Sequence, residues 1–242
     1  MSVVIAQLSD IHAKPGGRAV AALKRAVDWL TAARPDALIV SGDVANPPWT
    51  EGYGIVRDAL APLDCPVLMV PGNKDDRQAM RAAFDAGGWT EDHLSIAQTI
   101  KGVRIVGLDV MVPGETHGDA GPATGWLREQ LTVGEPVLLF MHHHPFRTGF
   151  ARVDKAMCRS VEPLADAIVT ADARVMLLTC GHGHRAVFSM FAGAPAMMCP
   201  SLAQPNPLEF GADDGPPTAD PPGFALHVVE SGRIASHIIA LG

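Results

Sequence analysis

Short apolar runs recur along the chain, separated by stretches whose hydrophobic positions fall at helical spacing. Residues 3–8, VVIAQL, are nearly all apolar and of strand length. In residues 17–33, GRAVAALKRAVDWLTAA, the positions Val20, Leu23, Val27 and Leu30 share one stripe and predict an amphipathic helix. A strand is predicted next at 36–43 (DALIVSGD), a helical stretch near 51–61, a strand at 66–70 (PVLMV) and a helix at 77–86 (RQAMRAAFDA). Strand and helix alternating in this way predict parallel strands joined by helical crossovers.

The rhythm then changes. LSIAQTI and VRIVGLDV, joined at Lys101-Gly102, predict a hairpin. A helix is predicted at 122–131 with Pro near its start, a strand at 136–144 (PVLLFMHHH), a helix at 161–171 and a strand at 175–184 (VMLLTCGHGH). From residue 186 the runs AVFSMF, APAMMC, FALHVV and IASHIIAL predict antiparallel strands. The Pro- and Gly-rich segment 204–223 between them predicts a long loop or lid. No repeat and no shift of composition divides the chain, so residues 1–242 are read as one domain. The expected class is α/β (α+β), with two mixed sheets packed face to face and helices outside.

Composition narrows the picture. With 48% hydrophobic and 19% charged residues over 242 positions, the chain can bury a substantial core. A formal charge of −7 gives no general attraction to a nucleic acid polymer or an anionic membrane, so an anionic ligand needs a local positive source. Cys65, Cys158, Cys180 and Cys199 have neither zinc-like nor disulfide-like spacing and are expected to be reduced thiols. The N-terminal MSVVIAQLSD carries no charged segment leading into a long apolar one, and no stretch reaches the ~18 apolar residues of a membrane span. These features predict a soluble cytoplasmic protein, monomeric or homodimeric.

The candidate chemistry sits at the ends of the predicted strands. In chain order these ends carry Asp10 and His12 (SDIH), Asp43 (GD), Asn73 (GN), His142, His143 and His144 (HHH), and His182 and His184 (GHGH). Ligands of open α/β sheets bind beyond the carboxyl ends of the strands, so these clusters are expected to converge. Carboxylates, imidazoles and an amide oxygen make a mixed nitrogen and oxygen donor set suited to first-row metals, and they outnumber what one ion needs. The D-x-H and H-x-H spacing places both side chains of each pair on one face of a regular strand. Ser9 and Ser41 are read as turn or supporting residues. His93, His117, His227 and His237 fit no motif and are read as surface or packed. Met176, Met190, Met197 and Met198 are assigned to the core.

The ordered motifs D-x-H, GD, GN, H and GHxH, spanning Asp10 to His184, resemble the calcineurin-like metallophosphoesterase superfamily. The HHHP form and the late CPS ahead of a Pro-rich loop resemble its class III cyclic nucleotide phosphodiesterases and bacterial glycerophosphodiesterases. The resemblance implies a four-layer α-β-β-α sandwich and two metal ions (Fe, Mn or Zn). One ion would be held by Asp10, His12 and His184. The other would be held by Asn73, His182 and the histidine two places before Pro145, which is His143, with Asp43 bridging. A hydroxide between the metals would attack a small phosphodiester such as a 3',5'-cyclic nucleotide. Glycerophosphodiesters, phosphomonoesters and nucleotide pyrophosphates are the alternative esters.

One position departs from that pattern. The family's usual histidine after the Asn is Lys74 here. Its ammonium can pair with a phosphoryl oxygen, but it donates a proton only if its pKa falls well below ~10.4. The departure leaves room for a metal-binding module of weak activity. Lys74 joins Asn73 and Asp43 as a catalytic candidate. Asp75 is read as the partner of Lys74, and His144 and Arg147 as residues near the metals or the substrate.

Overall fold

The computed structural model describes residues 2–84, 88–208 and 218–242. Its first part alternates as the sequence predicts: β1 (Val3–Leu8), α1 (Arg18–Ala33), β2 (Ala37–Ser41), α2 (Glu51–Leu60), β3 (Val67–Val70) and α3 (Arg77–Ala83). Arg34 stops α1 in a left-handed conformation, and the Asp76 side chain caps α3 by accepting from the Ala79 N–H at 2.7 Å. Residues 85 and 86, the expected end of α3, lie outside the described residues. β4 (Ile96–Ile100) and β5 (Val103–Leu108) form the expected antiparallel hairpin. There follow β6 (Gly118–Asp119), α4 (Gly121–Gln130), β7 (Val137–Met141), α5 (Ala151–Asp154), β8 (Cys158–Arg159), α6 (Val161–Val169) and β9 (Val175–Cys180). The chain closes with β10 (Val187–Phe191), β11 (Ala194–Met198), β12 (Gly223–Glu230) and β13 (Arg233–Ala240).

The strands form a five-stranded sheet, ordered β13-β12-β1-β2-β3, and a six-stranded sheet, ordered β10-β11-β9-β7-β5-β4. Alternation along β1 explains how they stack. Ala6 and Leu8 pack into a core shared with Leu23, Val27 and Leu30 of α1, whereas Val3 and Ile5 join a core with Phe140 of β7 and Met197 of β11. A third core lies between the six-stranded sheet and the helices α4 and α6, where Leu139 meets Leu127 and Leu164. Three cores between four layers give the α-β-β-α order. Gln7, on the inter-sheet face of β1, is fully buried beside two other polar side chains, Thr179 and His227.

Several expectations need correction. β7 ends at Met141 and β9 at Cys180, so the histidine clusters stand in loops rather than on strands. β10 pairs antiparallel with β11, but β11 runs parallel to β9. The two-residue strands β6 and β8 and the single-turn α5 are too short to leave a periodic signal. Met190 is 60% exposed with Phe188 at 65%, because Val187 and Phe191 take the core-facing side of the edge strand β10 and leave the alternate side chains on its other face. Residues 209–217 of the expected 204–223 loop lie outside the described residues. Among the described residues, no helix is long and apolar enough to cross a membrane.

Candidate metal centre

The loops after β1 and β2 are tied together by their main chains. Asp10 N–H donates to the Gly42 carbonyl at 3.0 Å and His12 N–H to the Asp43 carbonyl at 2.8 Å. Asp10, His12, Asp43, His182 and His184 all have positive φ, between 48° and 72°. For residues other than glycine this conformation costs on the order of 1–3 kcal/mol each, and it concentrates at functional sites. The paired side chains of D-x-H and H-x-H therefore converge through left-handed turns, not through the pleat that the spacing suggested. Close approach also constrains the backbone. A Cβ at Gly42 would come within 2.6 Å of His142 Nδ1, and one at Gly72 within 2.2 Å of Asp43 Oδ1.

Two donor groups result. In the first, His12 Nε2 lies 3.0 Å from His184 Nε2, and His184 Nε2 lies 3.4 Å from Asp10 Oδ1. In the second, His142 Nε2 is 3.3 Å from both Asn73 Oδ1 and His182 Nδ1, which are themselves 3.1 Å apart. Asp43 stands between the groups: Oδ2 is 3.4 Å from His12 Nε2 and Oδ1 is 3.5 Å from His142 Nε2. Buried carboxylates and inward-facing imidazole nitrogens packed this tightly suit metal ions, and the donor chemistry fits two of them.

Position in the loop distinguishes the three clustered histidines. His142 follows directly on β7, and its Nδ1 lies 2.8 Å from the Ser41 carbonyl, so Nδ1–H donates there and Nε2 is left facing Asn73 and Asp43. That is the orientation a ligating imidazole requires. His143 also falls within reach of His142 and His182, but neither of its ring nitrogens has a hydrogen-bond partner among the described residues. Counting back from Pro145 thus selects His143, whereas the contacts to Asn73 and Asp43 belong to His142. His144 is buried and stacks on the His182 ring at a centroid distance of 5.9 Å.

Electrostatics separates the groups further. Burial alone would raise the Asp10 pKa, but the charge and hydrogen bond of His184, with His142 and His12, hold it well below the usual carboxylate range. Burial opposes charge on His184 as well, yet the Asp10 carboxylate lifts its pKa to about 9. His182 and His143 are pushed well below the ordinary histidine value, first by burial and then by neighbouring imidazoles, with His142 foremost. The Thr116 backbone pulls His143 the other way without reaching hydrogen-bonding geometry. Burial also lowers His144, to about 4. His182 is therefore held as a neutral imidazole, the form in which histidine binds metal.

The surrounding residues brace these donors. Asp75 accepts from the backbone N–H groups of Val44, Ala45 and Gly72 at 2.8–3.1 Å and from the Tyr53 hydroxyl at 3.1 Å, clamping the GD and GN loops together. Burial and then Asp43 push its pKa up to about 7, against those amide donors. Its oxygens are thus committed to the main chain and to Tyr53, not to Lys74 as the sequence suggested. Lys74 is exposed at the rim of a cavity of about 370 Å³ that it shares with Asn73 and Trp49. Arg147 is exposed and has no ion-pair partner among the described residues. Ser9 donates to Asp10 Oδ2 at 2.6 Å and Ser41 to Ser9 at 2.8 Å, so both brace that carboxylate. Two residues escaped sequence reasoning. Asn46 Oδ1 lies 2.9 Å from His12 Nδ1, and Gln7 Nε2 donates to Ser41 Oγ at 2.8 Å. The Gln inside VVIAQL was the available signal for the second.

Comparison with known proteins agrees with this geometry. Residues 3–186 match the family model described as calcineurin-like phosphoesterase. A probable glycerophosphodiester phosphodiesterase GpdQ from Arcobacter nitrofigilis is 27% identical, with 99% of this chain and 94% of that protein covered. A probable cyclic nucleotide phosphodiesterase from Rhodopseudomonas palustris is 30% identical, covering 95% of this chain and 89% of that one. A cAMP/cGMP dual specificity phosphodiesterase from Mycobacterium tuberculosis is 27% identical, covering 99% and 80%. Among solved structures, a dimetal phosphatase from Danio rerio superposes with a TM-score of 0.76 over 98% of this chain and 96% of that one, at 14% identity, which speaks to the fold alone. With its fold, its ordered motifs and two donor groups meeting at Asp43, the chain belongs to the calcineurin-like phosphoesterase family of metal-dependent phosphoester hydrolases.

Proposed function

We propose that this chain hydrolyses a small phosphodiester at a centre of two metal ions. The observation that carries the reading is Asp43, whose two oxygens face different donor groups 3.4 and 3.5 Å away. Asp10, His12 and His184 would hold one ion, and Asn73, His142 and His182 the other, with Asp43 shared. His142 takes the place that the family's motif assigns to His143. Two ions bound there would supply Lewis acidity, lowering the pKa of water and neutralising phosphoryl oxygens. The protein's own part is placement. Ser9 and the His182 backbone N–H fix the Asp10 carboxylate, the Ser41 carbonyl fixes the tautomer of His142, and Asp75 holds the two loops in register. Lys74, at the rim, is positioned to meet a phosphoryl oxygen as a point charge.

The names of the relatives support a substrate among the 3',5'-cyclic nucleotides, with glycerophosphodiesters as the nearest rival. The donor set suits Fe, Mn or Zn. Four free cysteines support a reducing compartment such as the cytoplasm, and the shared cores support residues 1–242 acting as one domain. The test is a metal-loaded enzyme assayed on cyclic AMP, glycerophosphoethanolamine, bis-p-nitrophenyl phosphate and p-nitrophenyl phosphate, with the metal content measured in parallel. We expect two ions per chain and faster turnover of diesters than of the monoester. Two bound ions with no turnover of any ester would leave a metal-binding module and end the proposal.

A further inference from the structure

We propose that the cavity between the metal centre and α1 binds a second anionic group, so that the preferred substrate is a phosphodiester carrying an additional phosphate on one arm. This rests on the phosphodiesterase reading above and, within it, favours a diester with a second phosphate over an unsubstituted 3',5'-cyclic nucleotide. A cavity of about 810 Å³ opens beside His12 and Asn46 and extends along α1 to Gln204. Its size suits a nucleotide-sized ligand.

The wall of this cavity carries Lys14, Arg18 and Arg25. Arg18, Ala22 and Arg25 stand at i, i+4 and i+7, so they share one face of α1, with the two arginines roughly 10 Å apart along its axis. None of the three cations has a carboxylate partner among the described residues. Lys14 Nζ lies instead over the Trp49 ring, 5.1 Å from its centroid. The one acid among the described lining residues is Asp220, which is already bonded to Arg185 at 2.7 Å and to the Thr218 hydroxyl at 2.8 Å. The first turn of α1 contains no acidic residue.

A chain of net charge −7 thus groups three cations without carboxylate partners among the described residues along a cavity that opens beside His12. The scissile phosphate would be met by the metals and does not need them. An ester whose arms are uncharged would leave the guanidinium groups unused. A phosphate on one arm gives Arg18 or Arg25 a group matching its paired N–H donors.

The test compares two substrates differing by one phosphate, the dinucleotide ApA and its 5'-phosphorylated form pApA, on the metal-loaded enzyme, with bis-p-nitrophenyl phosphate reporting the basal reaction. We expect kcat/KM for pApA to exceed that for ApA by about tenfold or more, and the ratio to fall toward one in the Arg18→Ala/Arg25→Ala double variant. Calorimetric titration of the metal-depleted full chain with inorganic pyrophosphate is the second arm, with binding expected in the wild type and not in the double variant. If bis-p-nitrophenyl phosphate turns over but the wild-type ratio is near one, the second anion subsite is wrong and the phosphodiesterase reading stands. If no diester turns over, that reading falls, and pyrophosphate binding then decides the subsite alone: binding lost in the double variant upholds it, and its absence in the wild type overturns it.

Discussion

The backbone N–H of Lys74 donates to Asp43 Oδ1 at 2.8 Å, so the residue that departs from the family's motif holds the Asp43 carboxylate through its main chain. Main chain and side chain are therefore separable here. Lys74→Ala is expected to keep two metal ions per chain by elemental analysis, since the amide survives. Lys74→His is expected to raise turnover of diesters with alkoxide leaving groups by more than about tenfold, because an imidazole donates a proton near neutral pH. Rates on bis-p-nitrophenyl phosphate, whose leaving group needs little protonation, should change by less than about threefold. Equal effects on both kinds of ester would refute a role in leaving-group protonation.

His142 and His143 offer a direct contrast. His142 Nε2 contacts Asn73, His182 and Asp43, whereas His143 contacts none of these through a hydrogen bond. His142→Ala is expected to drop the metal content from two ions per chain toward one and to cut kcat by about a hundredfold or more. His143→Ala should retain both ions. Its cost should appear in thermal stability, because the ring is buried and a Cβ at Gly118 would already come within 2.7 Å of His143 Nδ1. The reverse pattern of metal loss would reinstate His143 as the ligand.

That pair shows where sequence reading succeeded and where it stopped. The strands, the crossover helices and the hairpin were legible because burial imposes a period on apolar residues, as at Val20, Leu23, Val27 and Leu30. The convergence of these residues was legible because parallel strands deliver their ends to one edge. The choice within HHH was not, since a pleat alternates sides and β7 stops at Met141, before the first histidine. Positive φ at Asp10, His12, Asp43, His182 and His184 also has no periodic signature. Loop geometry had to be seen.

Gln7 leads to a prediction of a different kind. It accepts from the Thr179 hydroxyl at 2.6 Å, lies 3.0 Å from His227 Nε2 and donates to Ser41, which donates to Ser9, which in turn donates to Asp10. A buried hydrogen-bonded chain thus runs from β12, through the layer between the sheets, to the Asp10 carboxylate. Gln7→Leu would remove the acceptor of the Thr179 hydroxyl, the contact of His227 Nε2 and the amide donor to Ser41, while Ser41 keeps Ser9 and His227 keeps Ser236, at a cost of about 1–3 kcal/mol. Urea denaturation of the metal-depleted protein would measure that loss. If the chain also orients Asp10, metal affinity should fall by about tenfold or more. A stability loss with unchanged metal affinity would limit Gln7 to a structural part.

The Asp10–His184 pair makes the stability of the metal-free protein depend on pH. Burial disfavours both charges, but their mutual attraction dominates, raising His184 from 6.5 to about 9 and holding Asp10 below its ordinary range. A histidine whose folded pKa is raised contributes stability that is complete below about 6.5 and disappears as pH rises through about 9. A carboxylate whose folded pKa is depressed contributes stability that is complete above about 3.8 and is lost as pH falls toward its folded value. The pair should therefore stabilise the metal-depleted chain most at pH 4 to 6.5, with Tm declining between pH 6.5 and 9. Metal binding must run the other way over that interval, because His184 has to lose its proton to become a ligand. Affinity for Mn²⁺, measured by competition with a chromophoric chelator, should rise from pH 6.5 to 9 in the wild type. In a His184→Gln variant both trends should flatten. A Tm decline in the variant as steep as in the wild type would show that some other group sets the pH response.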